Sequence, residues 1–145
     1  MQTATPIDEA PISVTKPLQP PGYTTLFPYF FVDDAAGFCR FLTEAFGAEE
    51  RGRSMDGERI ANAQLAIGDT TIMVSEAVAA FPAMAASYYL YVDDADAAMA
   101  RAKAACASEI MPVADQPYGD RQGGVKDGWG NYWWISQRLK AGDYD

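Results

Sequence analysis

Histidine is missing from the sequence altogether. Its absence removes the commonest side-chain metal ligand and the usual general base near neutral pH. Cysteine is nearly as scarce, with two residues, Cys39 and Cys106. Both fall in stretches predicted to be helical, and they read as buried free thiols rather than a disulfide. Basic residues are also few: 11 Lys and Arg against 20 Asp and Glu leave a net charge of −9. That balance speaks against nucleic acid or an anionic membrane as a partner, because a basic patch supplies most of the affinity in both cases. It is compatible with a cationic ligand, and equally with simple solubility. No apolar run is long enough to span a bilayer, and the first residues lack the basic and apolar regions of a signal peptide. The sequence therefore leads us to expect a cytoplasmic protein.

What the chain does have is a repeat. Tyr29-Phe30-Phe31-Val32-Asp33-Asp34-Ala35 returns as Tyr89-Leu90-Tyr91-Val92-Asp93-Asp94-Ala95. Each copy is an aromatic, β-branched run suited to a strand, closed by aspartates that can cap a helix. The register continues, with Ala45 and Glu49 falling on Ala105 and Glu109. Arg59 and Gly68 fall on Arg121 and Gly130 at an offset two residues longer. Two copies are too few for a solenoid, and they indicate one domain built from two related halves.

The expected division follows. Residues 1–22, with five prolines, form an extended arm. Residues 23–139 form a single domain of two modules, 23–76 and 87–139, joined by an alanine-rich connector at 77–86, and residues 140–145 form a tail. In the first module a strand is predicted over 24–32, with Pro28 marking an edge or a bulge. Asp33 or Asp34 then caps a helix to Phe46, whose stripe of Phe38, Phe41, Leu42, Ala45 and Phe46 has helical spacing, and Gly47 ends it. Strands follow over 49–54, 59–67 and 70–75. The second module repeats the order: strand 87–92, helix 95–107 with Ala98, Met99, Ala102, Ala105 and Cys106 buried, then strands 109–112, 121–126 and 132–136. The fold class is α+β.

Paired β-α-β-β-β modules opened by Val-Asp-Asp resemble the vicinal oxygen chelate superfamily of glyoxalase I, extradiol dioxygenases and bleomycin-resistance proteins. Its PhnB-like branch is suggested by Lys16-Pro17, Gly22-Tyr23-Thr24-Thr25, Pro28-Tyr29 and Ala45-Phe46-Gly47-Ala48-Glu49. The third strand Arg59-Ile60-Ala61-Asn62-Ala63-Gln64-Leu65 and Gly68-Asp69 fit as well. So do Met111-Pro112 with Ala114-Asp115-Gln116, and Tyr118-Gly119-Asp120-Arg121 with Trp129-Gly130-Asn131. The likeness covers residues 14–137. It implies mixed sheets curled into a cup with the helices outside, commonly completed by a homodimer.

In metal-dependent members of the superfamily, four inward side chains hold a divalent ion. By position, the resemblance puts the first at Phe27, the second within Ile72-Met73-Val74, the third at Ser87 and the fourth at Trp134. Ser87 is a weak ligand and the others are apolar, so no metal and no cofactor is expected. Where PhnB-like sequences often carry His and Glu on the third strand, this chain has Asn62 and Gln64, which hydrogen-bond without moving protons.

Period-two alternation turns the same register into a pocket. With Phe27, Ser87 and Trp134 inward, Tyr29, Phe31, Tyr89, Tyr91, Tyr132 and Ser136 share their face. Asn62 and Gln64 point in from their own strand. Leu26, Phe30, Val32, Leu90, Val92 and Ile135 would pack under the helices. An aromatic lining with polar handles suits a small aromatic or cationic molecule held by stacking and cation–π attraction. The competing reading is that the rings merely fill a core.

Three functions therefore stand open: a metal-free protein that sequesters such a compound, a metal-dependent lyase or dioxygenase with non-standard ligands, and a dimer with a filled cup. No catalytic residue is identified, and whether the protein is an enzyme stays undecided, with binding favoured. The Asp33-Asp34 and Asp93-Asp94 pairs read as caps. Asp120-Arg121 reads as a rim ion pair or a ligand contact, and Glu76 is the nearest carboxylate to the second metal position.

Overall fold

The aspartates that close each repeat do cap helices, and each helix covers the sheet of its own module. A computed structural model describes residues 17–145, so most of the expected arm lies outside the described residues. The elements are β1 (Tyr29–Val32), α1 (Ala35–Phe46), β2 (Glu49–Asp56), β3 (Arg59–Ile67) and β4 (Thr70–Glu76). After the connector come β5 (Ser87–Tyr91), α2 (Ala95–Ala104), β6 (Ser108–Asp115), β7 (Asp120–Lys126) and β8 (Tyr132–Arg138). They form two four-stranded mixed sheets, ordered β1-β4-β3-β2 and β5-β8-β7-β6. In each sheet the opening strand runs parallel to the last one and the other pairs are antiparallel.

At α1 the Asp34 carboxylate accepts from the Gly37 amide at 3.0 Å; at α2 Asp94 accepts from Ala97 at the same distance. Each satisfies a first-turn N–H that has no partner inside its helix. A long side chain from the last strand of the module completes the cap. Glu76 accepts from the Asp34 and Ala35 amides (2.9 and 2.8 Å), and Gln137 accepts from Ala95 (3.0 Å). Glu76 therefore serves a helix terminus.

The helix-side faces carry the core. Phe30, Val32, Phe38, Leu42, Leu65, Val74, Trp133 and Ile135 are all buried there. Burying such a side chain contributes about 1.5–3 kcal/mol. The modules meet through α1 against α2 and an aromatic plug, in which Phe30 lies 4.9 Å from Tyr88 and Tyr88 lies 4.8 Å from Trp133. Trp129 adds a tie, its indole N–H donating to Asp33 O at 2.6 Å. Among the described residues, no strand of one sheet lies beside a strand of the other.

Five expectations need correction. The first strand begins at Tyr29, not at residue 24, and Leu26 is 85% exposed instead of packed; Pro28, lacking an N–H, precedes the paired register. Helix α2 ends at Ala104, because Ala105 leaves helical geometry and Cys106 turns left-handed at φ 78°. Cys106 is consequently exposed, while Cys39 is buried; both are free. Finally, β6 is twice the expected length, running through Pro112 on the edge of its sheet to Asp115.

Candidate functional site

The two opening strands fix which residues share a face. Tyr29 pairs with Met73, and Tyr89 pairs with Trp134. Since Tyr29 and Tyr89 are repeat partners, Met73 is the structural counterpart of Trp134 within residues 72–74. The four positions that the resemblance relates to a metal site are then Phe27, Met73, Ser87 and Trp134. Two rings, a thioether and a hydroxyl make a donor set that does not fit a divalent cation. Among the described residues, no three His, Cys, Asp or Glu side chains gather as a metal-holding group.

On the cup face of the first sheet the polar side chains are linked in a row. Gln64 donates to Asn62, and Asn62 donates to the Tyr29 hydroxyl at 3.3 Å. Tyr29 and the Ser75 hydroxyl are 2.8 Å apart, and Ser75 donates to Ala61 O at 2.7 Å. The Tyr29 ring, 45% exposed, stacks on Phe31 at 4.6 Å, and Phe81 of the connector stacks on Phe31 at 5.8 Å. Phe27 stands apart from the row, edge-on to Tyr23 at 5.1 Å.

The second sheet carries the wider aromatic face. Tyr89, Tyr91 and Tyr132 are 48, 56 and 41% exposed, so these rings do not belong to the core. The Trp134 indole N–H donates to Ser87 Oγ at 2.8 Å, and Tyr132 meets Trp134 edge-on at 6.3 Å. Trp134 can lie flat because Gly124 sits beneath it; a β-carbon there would come within 2.7 Å of the indole. At the floor Gln122 donates to Ser136 at 2.7 Å, both buried, and Tyr118 donates to Gln122.

Sequence reasoning singled out Asp120 but missed its partners Arg138 and Tyr144. Asp120 and Arg121 are adjacent in β7, so they point to opposite faces. Arg121 goes outward to Asp96 and Asp115, at 2.9 and 3.0 Å. Asp120 is fully buried on the cup side, its carboxylate bonded to Arg138 at 2.9 Å, to Tyr89 and to Tyr144. Burial pushes this carboxyl up, but the hydrogen bonds from Tyr89, Tyr144 and Arg138 and the guanidinium charge outweigh it and hold the group below the usual carboxylate range. Tyr89 is raised, first by burial and then by its bond to Asp120.

The predicted residues therefore fall into two groups. Tyr29, Asn62 and Gln64 are joined on one half-cup; Ser87, Tyr89, Tyr91, Tyr132 and Trp134 share the other. A hollow of about 810 Å³ lies at the seam between the modules, with Pro28 and Ile72 on one side and Val92, Ala98 and Arg101 on the other. It is walled by the edge of β5 and by α2. No helix among the described residues is long and apolar enough to cross a membrane.

Comparison with known proteins matches residues 9–135 to the model of the Glyoxalase/Bleomycin resistance protein/Dioxygenase superfamily. An uncharacterized protein of Mycobacterium bovis is 33% identical over 133 residues, spanning 83% of this chain and 87% of the relative. Among solved structures, TioX from Micromonospora sp. ML1 aligns with a TM-score of 0.65 at 24% identity, over 79% of this chain and 99% of its own. TnmS3, described as an antibiotic binding protein from Streptomyces sp. CB03234, aligns with a TM-score of 0.62 at 22% identity, over 76% and 91%. At these identities the two structures speak for the fold alone.

Proposed function

This chain belongs to the Glyoxalase/Bleomycin resistance protein/Dioxygenase superfamily, and on that footing we propose that it binds and sequesters a small aromatic or cationic compound without a metal ion. The observation that carries this reading is the second cup face: three tyrosines between 41 and 56% exposed, grouped with Trp134 over a floor of buried polar side chains. Rings held open to solvent on a rigid sheet are pre-organised for stacking, and each well-placed ring pair contributes about 0.5–1.5 kcal/mol beyond area burial. The net charge of −9 favours the approach of a cation. The description of TnmS3 as antibiotic binding supports the same class of role here.

Among the described residues no strand of one sheet lies beside a strand of the other, and a second copy is assigned the part of closing the two half-cups. A homodimer would set the Tyr29 row of one chain opposite the Trp134 face of its partner and cover rings that are exposed in a single chain. Residues 23–139 act in this reading as one binding domain, with no part for nucleic acid or membrane. Native mass spectrometry of protein purified without chelator tests it. The expected species has twice the mass of one chain, with no metal mass and with any retained ligand being organic. A stoichiometric divalent metal whose removal abolishes ligand binding would overturn the reading.

A further inference from the structure

The buried carboxylate of Asp120 already holds a phenol ring, and that ring belongs to the chain itself. After β8 the segment of residues 139–145 turns back over the cup face of the second sheet. The Tyr144 hydroxyl donates to Asp120 Oδ2 at 2.7 Å and contacts the Tyr91 hydroxyl. Arg138 lies over the Tyr144 ring, its guanidinium carbon 4.2 Å from the ring centroid. The same guanidinium donates to Asp120 Oδ1 at 2.9 Å and to Gly142 O and Asp143 O at 3.2 and 3.1 Å.

Three recognition elements thus converge on one hydroxyl-bearing ring: a carboxylate acceptor, a second phenol and a stacked cation. None of them depends on Tyr144 being part of the chain. Tyr144 remains 42% exposed and its segment has no helix or strand, so what lifting it off breaks is its polar contacts with Asp120, Tyr91 and Arg138 and no element of the fold. Asp120, by contrast, is 0% exposed and stays fixed by Arg138 and Tyr89. With the ring gone, a buried carboxylate oxygen would lose a donor, and the vacated place selects for another group that can donate one. An ammonium group is the poorer replacement, because Arg138 already neutralises Asp120 and would repel a second cation.

We propose that Asp120, Arg138 and Tyr91 form a subsite for a phenolic ring, kept filled by Tyr144 until a hydroxyaromatic ligand displaces it. This rests on the binding reading above and narrows it: the sequestered compound carries an aromatic hydroxyl whose O–H donates to Asp120.

Calorimetric titration of the full chain with 2-naphthol and with its methyl ether, 2-methoxynaphthalene, tests the subsite. Removing the internal competitor in Tyr144→Ala should tighten 2-naphthol about tenfold. Tyr144→Phe, which keeps the ring against Arg138 but not the hydroxyl, should tighten it by less. The ether, unable to donate, should bind both variants no better than the original protein. Equal binding of naphthol and ether to all three proteins would overturn the phenol subsite and leave the cup as a general aromatic binder. Failure of both compounds to bind any of the three would overturn the subsite, and failure of the cationic 9-aminoacridine to bind as well would overturn the binding reading.

Discussion

Trp133 and Trp134 are neighbours in β8 that serve opposite faces of one sheet. Trp133 is 3% exposed beneath the helices, 4.8 Å from Tyr88 and 5.0 Å from Phe46, with its indole N–H donating to the buried Asp127 at 2.8 Å. Trp134 lies on the cup side over Gly124 and reaches Ser87. One ring is core and the other is half-buried on the cup side. Replacing each with alanine should separate the roles. Trp133→Ala should cost about 3–5 kcal/mol in denaturant melts, and Trp134→Ala clearly less. Equal losses would mean that the cup face is packed as tightly as the core.

Cys106 occupies the left-handed position after α2 that Gly47, at φ 70°, occupies after α1. A side chain costs roughly 1–2 kcal/mol in that conformation, and an exposed one recovers little through contacts. Cys106→Gly should therefore raise stability by about 1 kcal/mol, the gain being offset in part by glycine's greater freedom in the unfolded chain. The measure is the denaturation midpoint; a lower midpoint would contradict this account of the α2 terminus.

The same two cysteines should differ in reactivity. Burial raises the Cys39 thiol to about 11, with the nearby Glu50 adding to the rise. The folded state thus favours the neutral thiol. Its contribution to stability is complete below the ordinary thiol range and is lost as pH climbs through about 11. A thiol reagent at pH 8 should modify one cysteine per folded chain and both after denaturation. Fast modification of both in the folded protein would show that α1 does not shelter Cys39.

Much of this architecture was legible in advance because it is written in local pattern. The doubled strand signature, the Asp caps and the helical stripe of α1 each follow from chain-neighbour chemistry. Alternation puts Tyr89, Tyr91 and Trp134 on one face and Ile135 on the other. The misreadings arose where local signal gives out. The alanine-rich α2 carries no residue that announces its end, so the expected helix runs to residue 107 while the observed one stops at Ala104. The joining of the two modules depends on long-range packing that no local pattern carries, such as Phe30 near Trp133 and Trp129 donating to Asp33. Of the two readings of Asp120-Arg121, rim ion pair or ligand contact, the ion pair fails because strand alternation sets the two side chains on opposite faces. Tyr144 carried no signal, lying outside any periodic segment.

The central claim is that the Trp134 face takes up an organic ligand without a metal, and tryptophan emission reads it most directly. Chelator-treated protein would be titrated with planar and cationic compounds, 2-naphthol and 9-aminoacridine among them, alongside Trp134→Phe. The account predicts saturable quenching that a chelator leaves unchanged and that disappears in Trp134→Phe, since Trp133 lies buried on the helix side and Trp129 packs against Phe38 of α1. Quenching by no compound at all, or quenching that returns only when a divalent metal is added, would contradict it.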